Sequence, residues 1–336
     1  MEPRVSTREE VERQLQDGDG HASFARACLA GVDLSRLELA KADFTGADLS
    51  GANLANTDLS EANLATANLR DAVMFSANLA GAELVGADLE GANLSHCDAS
   101  RAGFGAANLV GVNLFEADLT GASFSKSDLR EADLRCARLG GARLHEAVLA
   151  RADLSHADLT GAELDGSDVD GTTFAGCNLR GGRLPRLRNY EKASWLEVDI
   201  RDTDFRGAYS LRRVIIDENY LHEFRTRGRH FETLYQLWRV TSDCGRSFWR
   251  WAAWTGVVVL LFAGAYSQVQ VDYGDHPTPL SPLYFSVVTL TTLGYGDVLP
   301  ASSAAQVIAM LEVAVGYVAL GGLISILANK MARRGE

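Results

Sequence analysis

The chain has 336 residues, enough for two or three domains, with 44 acidic against 32 basic side chains and a formal net charge of −12. That balance excludes recognition of a nucleic acid through a basic face. Five cysteines without a C-x-x-C pair and seven scattered histidines argue against a disulfide framework and against metal-ligand spacing. Met1 to Gly20 is charged and lacks an apolar run, so no cleaved leader is predicted and membrane insertion falls to later segments. Ser6-Thr7-Arg8-Glu9-Glu10 ahead of Val11 and Leu15 reads as a capping box that opens a short helix. We assign residues 1–20 to a helix that caps the domain following it.

From Phe24 to Leu184 every fifth residue is apolar: Leu29, Leu34, Leu39, Phe44, Leu49, and onward to Phe174, Leu179 and Leu184. Two positions earlier stands a small residue, usually Ala (Ala47, Ala52, Ala62, Ala87, Ala132, Ala152), with Asp or Asn between the two. A period of five matches neither a helix, at about 3.6, nor a strand, at about 2. It matches a short extended stroke followed by a corner. Residues i−2 and i share a face, and Gly or Ser takes the corner. Stacked coils bury ladders of Leu, Phe and Ala while backbone groups pair between coils at about 4.8 Å. Contacts then run only between neighbouring repeats, which defines a solenoid. The repeat A-[D/N]-L-x-x resembles that of the pentapeptide-repeat family over about half of the chain. The resemblance implies a right-handed quadrilateral β-helix of about 20 residues per coil, roughly eight coils and a rod of about 40 Å. The register fails at Pro185 and returns shifted by one residue at Ala193-Ser194-Trp195. We read Pro185 to Glu191 as a loop, a break near 185–192 in a β-helix domain spanning 21–211, with further coils from Ala193 to about Leu211. Some members of the family resemble duplex DNA and bind DNA-handling enzymes. Here the Asp and Asn positions follow the fold's own repeat and identify no partner.

Residues 212–247 form a connector. From Asp217 to Ser247 it reads as helical, because Leu221, Phe224, Phe231, Leu234, Tyr235 and Trp238 recur at three to four residues. Such a helix fits along a membrane surface or against a neighbouring subunit. Phe248 to Ser267 then gives about 20 mostly apolar residues, the length that crosses a hydrocarbon core of about 30 Å. Trp249, Trp251 and Trp254 at its start fit an interfacial aromatic belt. A second span runs from about Ala304 to Asn329 and is apolar apart from Glu312. Lys and Arg are absent between Trp251 and Asn329. They flank the pair instead, as Arg225, Arg227, Arg229, Arg239, Arg246 and Arg250 before it and Lys330, Arg333 and Arg334 after it. The positive-inside rule puts both flanks in the cytoplasm and the intervening loop outside. Asp272, Asp275 and Asp297 in that loop draw cations to its mouth.

Between the spans lies Thr289-Leu290-Thr291-Thr292-Leu293-Gly294-Tyr295-Gly296-Asp297. Two glycines flanking an aromatic residue let the backbone take the unusual φ/ψ values that turn successive carbonyls one way. The string resembles the T-x-x-T-x-G-Y-G-D selectivity filter of potassium channels. Phe248 to Arg334 as a whole resembles the two-transmembrane pore of tetrameric bacterial potassium channels, and we assign 248–334 to that module. The resemblance implies a pore helix at about 282–291, with Pro282 in its first turn, re-entering only partway. Its partly negative C-terminal end points at the ion cavity. It further implies a filter at 292–297 in which the carbonyls of Thr292, Leu293, Gly294, Tyr295 and Gly296 replace the hydration shell of K+. The Thr292 hydroxyl adds one more oxygen. Leu293 stands where Val is commoner, but only its carbonyl faces the ion. Val288 stands where some bacterial relatives have Glu, so the expected partner of Asp297 is the Tyr284 hydroxyl. Glu312, a lone acid at membrane depth, is expected either to be hydrogen-bonded behind the filter or to act as a pH or ion sensor, the first being the preferred reading. Gly316, in the pattern Glu312-x-x-x-Gly316, is the expected gating hinge, the alternative being a point of close helix packing, and Leu320, Ile324 and Ala328 are the face expected to line the inner vestibule.

One re-entrant loop supplies a quarter of such a filter, so the expectation is a homotetramer of identical subunits in a lipid bilayer. No S4-like arginine series and no G-x-G-x-x-G nucleotide-binding unit are present. No nucleophile–base pair stands out, so the chain reads as a non-enzyme without organic cofactor, K+ being the permeant ion. The expected fold is thus a β-helix followed by a membrane α module with a re-entrant helix. The expected function is a potassium-selective channel of a bacterial inner membrane whose cytoplasmic rods modulate or scaffold the pore. The alternative is a membrane-anchored interaction protein whose acidic rod binds a cytosolic partner.

Overall fold

The five-residue register becomes a ladder of parallel bridges in the computed structural model, which describes residues 6–17, 22–206, 208–245, 247–274 and 277–332. Asp275 of the loop between the spans, and Arg246, Arg333 and Arg334 of the basic flanks, lie outside the described residues. The chain divides into two compact units, Met1–Tyr220 and Leu221–Glu336.

In the first unit the bridges run from Ser23↔Asp43 and Cys28↔Asp48 to Asp168↔Arg188, each joining residues one coil apart. Backbone bonds tie the coils in both directions, as in Leu54 N–H to the Val73 carbonyl (2.7 Å) and Val73 N–H to the Ala52 carbonyl (2.9 Å). Each Asp or Asn closes its own corner: the Asp48 carboxylate accepts from Ser50 N–H at 3.2 Å and from the Asn68 amide of the next coil at 2.9 Å. The corners lie in the left-handed region, with φ of 62° at Gly51, 58° at Asn56 and 55° at Glu61. Glycine recurs there because it alone takes that φ without a Cβ penalty. The Leu and Ala columns are buried, and aromatic residues stack on the coil repeat: Phe24 on Phe44 at 5.0 Å, Phe104 on Phe124 at 4.8 Å, Phe174 on Trp195 at 4.4 Å.

Both ends of this ladder are covered. Helix α1 (Arg8–Asp17) begins with Glu10 accepting from the Ser6 and Thr7 N–H groups at 2.7 and 3.2 Å. It buries Val11, and Arg8 donates to the Asp33 carbonyl. Helix α2 (Tyr209–Thr226) buries Leu211 and Ile215 in the same core. Its Glu218 carboxylate accepts from Trp195 N–H at 3.0 Å, and its Asn219 side chain accepts from Glu197 N–H at 2.6 Å and donates to the Trp195 carbonyl at 2.9 Å. Two side chains thus replace the coil that would come next. Two expectations need correction. The coil geometry persists through Pro185 to Arg188, where Arg188 still pairs with Asp168. The single extra residue enters only at a 3₁₀ turn, Tyr190–Lys192, after which the bridges run Thr173↔Ser194 and Asn178↔Asp199. The coils end near Phe205, and the last stretch to Leu211, expected as coil, is already the start of α2.

The connector is two helices. Gly228, at φ 153°, separates α2 from α3 (Arg229–Ser242). Phe224 packs edge-on against Phe231 and Trp238 of α3, with centroids at 5.3 and 6.2 Å. In the second unit α4 (Phe248–Tyr266), capped by Ser247, and α6 (Ser303–Ala332) are long and apolar enough to cross a membrane. Between them stand β1 (Val271–Asp272), α5 (Ser281–Leu290) and β2 (Leu299–Pro300). Strands β1 and β2 pair antiparallel, Val271 with Pro300 and Asp272 with Leu299, so the two ends of the α5 loop are tied together.

Candidate functional site

Helix α5 is short because its two ends are fixed by side chains and turn bonds. At its start the Ser281 hydroxyl accepts from Thr278 N–H at 2.8 Å, with Pro282 in the first turn. At its end Thr292 N–H and Leu293 N–H donate back to the Thr289 and Val288 carbonyls at 3.0 and 3.1 Å. The chain then leaves the helix with Thr292, Gly294 and Gly296 at φ of 57°, 51° and 76°. Left-handed residues at alternate positions are the backbone condition for successive carbonyls to share one side. Beyond the segment, the Tyr284 hydroxyl donates to the Asp297 carboxylate at 2.6 Å, with Val288 buried beneath. Leu293 and Tyr295 are 58% and 68% exposed, and no atom beyond the chain neighbours stands within 4 Å of where a Cβ on Gly294 or Gly296 would be. Thr291 to Asp297 are thus exposed throughout in the single chain.

Behind α5 lies a buried polar group. Glu312 is fully buried on α6, with Ser286 of α5 at 2.5 Å from one carboxyl oxygen and the Tyr266 hydroxyl of α4 at 2.7 Å from the other. The Tyr266 ring packs on Phe285 at 4.6 Å. Gly316 lies one turn further along an unbroken α6. A Cβ built there would overlap the Leu290 carbonyl oxygen, the last of α5. Leu320, Ile324 and Ala328, four residues apart on one face of α6, are exposed. A cavity of about 180 Å³ joins Thr292, Gly316 and Leu320. Among the described residues no group of three His, Cys, Asp or Glu side chains is placed to hold a metal. The oxygens on offer at Thr292–Gly296 are the backbone carbonyls and the Thr292 and Tyr295 hydroxyls. Sequence reasoning singles out Tyr284, Val288, Asp297 and Glu312 but not Ser286 or Tyr266. The available signal for Ser286 is a polar residue inside an otherwise apolar helix.

Fold and site together define a membrane ion-channel domain preceded by a solenoid. The family model for ion channels matches residues 253–333, and that for pentapeptide repeats matches in overlapping runs from residue 21 to residue 181. The chain thus joins a pentapeptide-repeat domain to an ion-channel domain with potassium-channel homology; neither family is one of enzymes. A two pore potassium channel of Oryza sativa is 44% identical over 57 residues, 17% of this chain and 16% of that protein. The calcium-gated potassium channel TvoK of Thermoplasma volcanium is 31% identical over 88 residues, 24% of this chain and 25% of that protein. The chain therefore spans about a quarter or less of the curated relatives' length. Among solved structures, the pentapeptide-repeat protein HetL of the cyanobacterium Nostoc is 31% identical, covering 61% of this chain and 96% of its own, with a TM-score of 0.28. A structure of QnrB1, a plasmid-mediated fluoroquinolone resistance protein, is 23% identical, covering 58% and 92%, with a TM-score of 0.41. The solenoid assignment rests on the repeat register and the family match.

Proposed function

We propose that the chain forms a homotetrameric, potassium-selective channel whose pentapeptide-repeat rods lie in the cytoplasm and modulate or scaffold the pore. The observation that carries this reading is the Thr292–Gly296 segment. It sits between two apolar helices, alternates left-handed residues at φ 57°, 51° and 76°, and is exposed along its whole length in the single chain. Four copies around one axis would enclose it and complete the carbonyl cage. A potassium ion entering it exchanges its hydration water for carbonyl oxygens and, at the inner end, the Thr292 hydroxyl. The Tyr284–Asp297 bond holds the outer end, and Asp272 and Asp297 raise the local cation concentration. Leu320, Ile324 and Ala328 line the inner vestibule in this reading. Bending α6 at Gly316 for gating would part it from the Leu290 carbonyl. The curated relatives named above are potassium channels, which supports the ion assigned. The basic flanks favour cytoplasmic ends; the resemblance of 248–334 to bacterial two-transmembrane pores is what assigns the membrane to the inner membrane of a bacterium.

Native mass spectrometry of the purified full chain tests the stoichiometry, and potassium flux in liposomes tests conduction. A second protein beginning at Leu221, the start of the second compact unit, tests the rods. It should remain tetrameric and conduct with a changed open probability. A monomeric full chain, or one without potassium flux, contradicts the channel. Unchanged gating without the first unit contradicts a modulatory role for the rods.

A further inference from the structure

The hydrogen bonds around Glu312 do not close if hydroxyls alone supply the hydrogens. Ser286 Oγ lies 2.5 Å from Glu312 Oε1 and 3.0 Å from the Val259 carbonyl oxygen, while the Tyr266 hydroxyl lies 2.7 Å from Glu312 Oε2. A serine and a tyrosine hydroxyl bring one hydrogen each, and a carbonyl brings none. Three contacts need three hydrogens. Ser286 donates to Val259, Tyr266 donates to one carboxyl oxygen, and the hydrogen between Ser286 and Glu312 must come from the carboxyl.

Charge supports the same count. Ser286 and Glu312 are fully buried, and Tyr266 with them. The titratable groups facing Glu312 are Tyr266 from α4 and, one contact further, Tyr273, whose hydroxyl lies 3.4 Å from the Tyr266 carbonyl oxygen. Helix α5 offers only hydroxyls, and α6 has no other charged residue before Lys330. Lys and Arg are absent from 251–329, so a second copy of this module brings a cation only at the ends of its membrane helices, Arg250 and Lys330. A buried carboxylate with no cation is expensive, whereas a carboxylic acid with every group bonded is not.

We propose that Glu312 is held as a neutral acid and, with Ser286 and Tyr266, clamps α5 between α4 and α6. It is a positioning residue for the filter, and Ser286 and Tyr266 are its partners in that task. Its effect on conduction rests on the channel reading; the hydrogen count does not.

The test has two arms. Infrared spectra of the full chain in lipid nanodiscs at neutral pH are compared between wild type and Glu312→Gln. The difference should show the carbonyl band of a neutral carboxylic acid. A pair of ionised-carboxylate bands in its place overturns the proposal. If Glu312→Gln does not assemble, wild type labelled with carbon-13 at its glutamate carboxyls gives the same answer, as a neutral-acid band that shifts on labelling or is absent. In the second arm, potassium and sodium fluxes are measured in liposomes. Glu312→Gln should keep the potassium preference of wild type, because an amide donates on one side and accepts on the other as the acid does. Glu312→Ala should lose that preference, and its retention overturns the positioning role. Wild type without any potassium flux would refute the channel reading while leaving the infrared result intact.

Discussion

Replacing Gly316 by Ala sets two effects against each other at one position. In an isolated helix the exchange favours α6 by about 1 kcal/mol. In the folded chain the added Cβ would overlap the Leu290 carbonyl oxygen and lie 3.1 Å from its carbonyl carbon and 3.3 Å from its Cα. These are backbone atoms at the end of α5, so no rotamer change relieves them, and overpacking of this kind costs about 1–3 kcal/mol. The overlap wins by roughly 0–2 kcal/mol per protomer. Four protomers around one filter would lose roughly 0–8 kcal/mol if the terms add. The Gly316→Ala oligomer should therefore dissociate at a lower temperature, and the shift in α5 should disturb conduction at the adjoining Thr292. Gly321 is the control, on the same helix with nothing within 4 Å of the place its added methyl group would occupy. Gly321→Ala should be neutral or stabilising by up to about 1 kcal/mol. Thermal dissociation followed by size-exclusion chromatography, beside single-channel recording, reads both. A Gly316→Ala oligomer as stable as the Gly321→Ala one, with only its open probability reduced, would refute the packing argument and leave the hinge as the role of Gly316.

Tyr284→Phe removes the 2.6 Å bond to Asp297. A hydrogen bond to a charged group contributes about 1.5–3 kcal/mol, so potassium currents should decay faster within each opening in bilayer recordings. Burial pushes the Cys97 and Cys177 thiols up to about 12. At mildly alkaline pH a maleimide should label exposed Cys136 at once and these two only after denaturation, as mass spectrometry of timed samples will show. Arg201 and Arg206 hold the Asp199 and Asp204 carboxyls down at about 2, against an ordinary 3.8. A depressed folded-state value adds stability that is present above 3.8 and lost as pH falls towards 2. Hydrogen exchange of the last coil should accelerate in that window, modestly because both pairs are exposed, before exchange at Phe104 does.

The solenoid is legible in the sequence because one register repeats without pause, and a wrong fold cannot satisfy a period of five for so long. Pro185 misleads for a physical reason. The residue after a buried Leu keeps its N–H out of the ladder, and where Asp or Asn stands two positions back gives it to that side chain, as Ser50 does to Asp48. A residue without N–H costs nothing there, and the coil runs on to Arg188. The connector reads as one helix because its apolar spacing continues across Gly228, where the backbone at φ 153° breaks it. The backbone of Thr292–Gly296 is legible because left-handed φ at alternate positions is written as permissive glycines at fixed spacing. The clamp behind it is not. Tyr266 and Ser286 stand 46 and 26 positions from Glu312, and only the packing of three helices brings their oxygens together.

The central claim is that Thr292 to Gly296 pass potassium and reject sodium. The measurement that tests it most directly is the reversal potential of the purified full chain in a planar bilayer, with potassium salt on one side and sodium salt on the other. The account predicts a reversal potential displaced far towards the potassium equilibrium value. A reversal potential near zero, with sodium carrying as much current as potassium, would contradict it.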